Sequence, residues 1–132
     1  MKGKTALALA LHAFVIWLGC GLTIAIGRGT VGLDTTLQLH AIVAPALAVL
    51  VSSVYFTQFG ATSPLVAATF FVSFIVIMDA TLVALVFEKS YAMFASVLGT
   101  WLPFLLIFIA TYVTGLWVRG RGSVDQRDDI PA

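Results

Sequence analysis

Charge is what this sequence has least of. Seven Lys and Arg and six Asp and Glu are spread over 132 residues, about a tenth of the chain where soluble domains carry about a quarter. With 61% hydrophobic residues beside them, the chain lacks the polar residues to face water on all sides, which excludes an ordinary soluble domain. The few cations form no cluster able to follow a phosphate backbone, and a net charge of +1 attracts no polyanion, so nucleic acid is excluded as a partner. Cysteine is almost missing too. Cys20 alone closes no internal disulfide and brings no second thiol to a metal or redox site. There is no Gly-rich phosphate loop, no serine in a nucleophile turn and no pair of acids within one apolar run. Nothing therefore signals an enzyme, and no catalytic residue, metal or cofactor is named by the sequence.

What the sequence does have is long apolar runs. Pro64–Phe87 contains one charged residue, Asp79, well inside it, and about 20 apolar residues suffice to cross a bilayer. A carboxylate at that depth costs roughly 2.5–3.5 kcal/mol on insertion scales, which makes Asp79 a functional candidate. The first run, Thr5–Ile26, follows Lys2 and Lys4 and exceeds the 7–15 apolar residues, roughly, of a signal peptide, so it is read as a first span. Gly19-Cys20 resembles a lipoprotein cleavage site, but Trp17 and Leu18 fit the preceding positions poorly. Arg28–Thr36 reads as a Gly-rich loop. Leu37–Phe59 is a second uncharged span, ended by Gly60, and Phe94–Val118 is a fourth, with a kink expected at Pro103.

The predicted fold is all-α: an integral membrane four-helix bundle, running up-down-up-down in a single domain over residues 1–118. Its spans fall at about 5–27, 37–59, 64–87 and 94–118, and residues 119–132 are expected to be a disordered cytoplasmic tail. Lys2, Lys4, Arg119, Arg121 and Arg127 then oppose Arg28 and Lys89, so the positive-inside rule places both termini in the cytoplasm of a cell that carries the protein in its inner, or cell, membrane. Tyr55 and Trp117 are expected at the cytoplasmic interface and Tyr91 at the opposite one.

Stepping each span at 100° per residue separates small and polar residues from bulky ones. On the third span, Asp79 shares an arc with Ala68, Thr69, Ser73, Val76 and Ala84, while Phe71, Ile75, Ile77 and Leu82 lie opposite. Small faces let membrane helices approach and bulky ones suit lipid, so Asp79, Thr69 and Ser73 are predicted to face the bundle. By the same rule His12 faces inward with Ala8 and Cys20, and Leu7, Leu11, Phe14 and Trp17 face lipid. His40, Ala44, Ala48, Ser52, Tyr55 and Gln58 form the inward face of the second span, and Thr100, Trp101, Phe104, Thr111 and Tyr112 that of the fourth.

His12 and His40 invite comparison with the paired haem ligands of membrane cytochromes. Their depths, roughly 15–20 Å apart at 1.5 Å per residue, do not suit one iron. An order of His40, Asp79 and His12 across the membrane resembles instead a proton relay, with gaps of ~9 Å to be bridged by water, Tyr55 or Ser and Thr hydroxyls. The competing reading makes these groups packing contacts, with Asp79 held by Ser73, Thr69 or another helix and each histidine bonded to a backbone carbonyl. Asp34, His40 and Glu88 could also gather at the outer rim around a cation. The leading functional expectation is a small transport-type or transport-accessory protein whose lining centres on Asp79. Its alternatives are a non-catalytic assembly subunit and a haem- or quinone-binding redox protein. The lipid bilayer is its first partner, and because four spans enclose little volume, a homo-oligomer or a larger membrane partner is expected as well.

Overall fold

Four helices form because four runs of apolar residues have nowhere else to satisfy their backbone groups once water is excluded. The structure, a computed structural model, describes residues 3–59, 62–87, 89 and 92–128. Helix α1 is Gly3–Thr30, α2 is Leu33–Gln58, α3 is Pro64–Met78 and α4 is Leu102–Asp128. Each of Gly3–Thr30, Leu33–Gln58, Pro64–Ala84 and Leu102–Gly120 is long and apolar enough to cross a membrane, and no strand is present among the described residues. The chain is thus a multi-pass, four-helix membrane bundle. Helices α1 and α4 each pack against both α2 and α3.

The first connection is shorter than the sequence predicts. Only Val31 and Gly32 separate α1 from α2, and Gly32 makes the turn with φ at +86°, a conformation that glycine adopts without a Cβ penalty. Leu33–Thr36, expected in the loop, is the first turn of α2. Asp34 there complements the helix N-terminus, and the Thr36 hydroxyl donates to the Gly32 carbonyl at 2.6 Å. Between α2 and α3 the expected Pro start is observed: Ser63 caps the helix by accepting from Val66 N–H at 3.2 Å, and Pro64 occupies the first turn.

Two stretches leave the α-helical register. From Asp79 to Phe87 the third span continues as a π-helix, and Val97–Trp101 forms a shorter one before α4, after a 3₁₀ turn at Ala92–Ala95. Pro103 explains the second, since it has no N–H for the preceding turn and the α-helical ladder begins only at Leu102. The fourth α-helix accordingly starts later than the expected residue 94. It also ends later: residues 119–128, expected as a disordered tail, continue α4. The Arg119 guanidinium donates to the Thr62 carbonyl at 3.0 Å, which ties the helix beyond Val118 to the α2–α3 turn.

The core is built from Leu9, Ala13 and Ile16 of α1, Ala44, Ala48, Tyr55 and Phe56 of α2, Ala67, Phe71 and Ile75 of α3, and Phe104 and Ile107 of α4. Tyr55 is its hub, fully buried, with its hydroxyl at 2.9 Å from the Thr62 hydroxyl and its ring against Phe56 and Phe71. The α3 face is rotated from the predicted one by about a third of a turn at 100° per residue. Phe71 and Ile75, expected toward lipid, are buried, whereas Thr69 and Ser73, expected inward, are exposed. The alanines of α1 and α2 leave room that these bulky residues fill, so size complementarity between helices outweighs the small-inward rule. Gln58 and Trp101 are likewise exposed rather than inward-facing. The Trp101 indole N–H donates to the Phe94 carbonyl at 2.7 Å.

Close approach of α4 depends on Gly115. A Cβ there would lie 2.7 Å from Pro64 Cβ and 2.8 Å from the Phe56 ring, neither of which can swing away. Gly115→Ala is expected to destabilise the bundle by about 1–3 kcal/mol. Gly21→Ala, where nothing lies within 4 Å, is expected to leave thermal unfolding in detergent unchanged. Equal midpoints for both variants would contradict this packing.

Candidate ligand site between the helices

The groups singled out by chemistry do not all meet. Trp17, expected toward lipid, is half-buried, and its indole N–H donates to Asp79 Oδ1 at 2.9 Å. Asp79 stands where α3 passes into the π-helix, one helical turn beyond Ile75 and so on the edge of the buried stripe. The expected donors for this acid, Thr69 and Ser73, sit on exposed positions of the same helix. An indole from the neighbouring helix takes their place.

Asp79 and Trp17 open onto a cavity of about 370 Å³. Cys20 and Arg28 of α1, His40 of α2, Ile75 of α3, Val83 of the π-helix and Thr100, Pro103, Phe104 and Ile107 complete most of its wall. A volume of that size, apolar walls and a few polar groups are the properties of a small-molecule site. The irregular helices belong to it as well. Non-α backbone at membrane depth is tolerated where it lines a cavity, and both π-helices contribute a wall residue, Val83 and Thr100.

His40 is only 5% exposed, and neither Nδ1 nor Nε2 has a hydrogen-bond partner among the described residues. Leaving a buried polar group unmatched costs about 1–3 kcal/mol, so an unpaired imidazole in a cavity wall points to a role outside packing. Thr36 packs against Gly27 across the α1–α2 contact. In antiparallel helices that places His40 roughly 10 Å above the Trp17–Asp79 pair along the bundle axis, at 1.5 Å per residue.

His12 is elsewhere. Its Nδ1 is 2.6 Å from the Ala8 carbonyl, to which an Nδ1–H donates, and its ring stands edge-on to Tyr55 and Phe59 at 5.4 and 5.3 Å. It borders a second cavity with Leu11, Val15, Leu50, Val51 and Val54, none of which lines the first. The three-member relay order is therefore not assembled in one space. The remaining polar candidates serve packing: Ser52 donates to the Ala48 carbonyl, Tyr55 bonds Thr62, and Tyr112 stacks on Phe108. Thr111 is fully buried away from the cavity wall, and its hydroxyl has no partner among the described residues. Among the described residues no three His, Cys, Asp or Glu side chains gather as a metal site, and Glu88 of the outer-rim trio lies outside them, as does Tyr91.

Sequence reasoning missed Trp17 and the cavity. A rule of size treats an indole as bulk, although its N–H makes it a donor for an acid at the same depth. No protein family, curated protein or solved structure matches the chain.

Two outcomes follow from this geometry. Trp17→Phe keeps most of the ring and removes the N–H, and is expected to destabilise the bundle by about 1–3 kcal/mol. The same change on an Asp79→Asn background should do less, and strict additivity in a double-mutant cycle would show that the pair does not interact. His40→Leu is expected to raise the unfolding temperature, because an unpaired buried imidazole is replaced by an apolar side chain of similar size. A lower midpoint would mean that the imidazole has a structural partner.

Proposed function

We propose that this protein is a small transport-type membrane protein, or an accessory to one, that receives its substrate in the cavity bounded by Trp17, His40 and Asp79. The observation that carries the reading is the convergence, on one apolar-walled space, of an intramembrane acid and a buried histidine that has no hydrogen-bond partner among the described residues. Acids at membrane depth mark substrate and ion pathways. Here Asp79 and His40 are the groups that engage substrate or proton, and Trp17 positions the carboxyl group. His12 takes no part, since its polar edge is committed to its own helix and its cavity is a different one.

The chain sits in the cell membrane with both termini cytoplasmic, in keeping with the excess of Lys and Arg on that side of four spans. It works as a homo-oligomer or beside a larger membrane partner, because four spans enclose little volume. A haem-binding redox role draws little support from the geometry, in which His12 and His40 line separate cavities.

Proteoliposomes loaded with a pH-sensitive dye test the proposal under an imposed gradient. The parent chain should pass protons or a coupled ion, Asp79→Asn should abolish that flux while still inserting, and His12→Gln should retain it. No flux from the parent, or undiminished flux from Asp79→Asn, would sink the proposal.

A further inference from the structure

The polarity of the cavity narrows what it can take. Its deep acidic group, Asp79, is met by a neutral donor, the Trp17 indole. The cation in the same wall, Arg28, is eleven residues further along α1, which is roughly 16 Å of helix. A carboxylate between apolar walls gains most from an opposite charge brought into contact, because charge pairs strengthen as water is excluded. An anionic occupant is repelled, and a neutral one leaves that charge uncompensated. Trp17 and Phe104 add aromatic surface to the wall, and such faces attract an organic cation. Ile75, Ile107 and Val83 supply contact for an apolar body, and about 370 Å³ leaves room for it.

We propose that the occupant of this cavity is a hydrophobic amine carrying one positive charge, with its ammonium group against the Asp79 carboxylate and its body along Ile75, Phe104 and Ile107. The ammonium donates to the carboxylate, while Trp17 continues to hold Oδ1 and so aims the acid at the ligand. His40 lies toward the other end of the space. This inference rests on reading the cavity as the substrate site, and it adds the sign and chemical class of the substrate.

Binding to the purified full chain in phosphatidylcholine nanodiscs tests it, with three probes that share one body: 4-phenylbutylamine, 4-phenyl-1-butanol and 4-phenylbutyrate. Equilibrium dialysis should show saturable binding of the amine, at least tenfold tighter than the alcohol, and no saturable binding of the acid. Asp79→Asn should weaken the amine at least tenfold and leave the alcohol nearly unchanged, and Ile107→Trp, which fills the cavity, should remove both. The amine and alcohol are compared on the parent chain, so the test holds even if a variant fails to fold. Alcohol bound as tightly as amine, with both lost in Ile107→Trp, would overturn the charge assignment and leave the cavity as the substrate site. Absence of saturable binding for every probe, alongside Asp79-dependent flux, would overturn the substrate class and leave the transport reading standing. Absence of both would overturn the two together.

Discussion

An acid held at membrane depth has no water to turn to, and the arrangement of α1 against the third span follows from that constraint. Trp17 is the donor that answers it. The two residues are 62 positions apart in sequence, so the bond fixes how far one helix slides along the other. It also decides which residues line the space beside it. Ile75, one turn before Asp79, is drawn into the core, and Cys20, one turn after Trp17, faces the same cavity as the acid. Unlike a hydroxyl from its own helix, the indole comes with a large apolar body, so donor and wall are one side chain.

The bundle is held unevenly along its length. Around the α2–α3 turn, Tyr55, Phe56, Phe71, Thr62, Pro64 and Gly115 form a close-packed knot, and Arg119 donates into it. Toward the other end, the backbone departs from α-helical geometry in two places and the side chains stand apart around the cavity. A π-turn fits an extra residue into each turn and widens the helix, which suits a wall better than a packed contact. One end is therefore closely packed, and the other opens into the cavity.

The sequence makes the four spans and their alternation legible, because twenty apolar residues in a row have one solution in lipid. It also marks Asp79 and His40, since an ionisable group in such a run stands out, and the inward direction of His40 follows from helical periodicity. The faces of α2 were predicted well because alanines and Ser52 line it in register with His40. Those of α3 were not: the small-inward rule treats each helix alone, and whether Phe71 packs inside depends on Ala44, Ala48 and Ala13 elsewhere in the chain. Trp17 was hidden for the same reason. Its amphipathic character has meaning only beside an acid at the same depth, a relation set by register between helices. The π-helix from Asp79 to Phe87 contains no glycine or proline to announce it.

Most of the features that disagree with local preference gather in one place, the buried Thr111 hydroxyl being the exception. A buried imidazole with no partner among the described residues, an intramembrane acid and two π-helical stretches each weaken a bundle, and His40, Asp79, Val83 and Thr100 bring these to the wall of one cavity. Where sequences depart from stable choices, the departures collect at sites under functional demand. His12 supplies the contrast within the same protein. It is also a histidine in a membrane helix, yet its nitrogen finds the Ala8 carbonyl and its ring finds Tyr55 and Phe59, as a residue retained for packing would. Identical side-chain chemistry therefore leads to opposite assignments for the two histidines, and it is the pairing of their polar atoms that separates them.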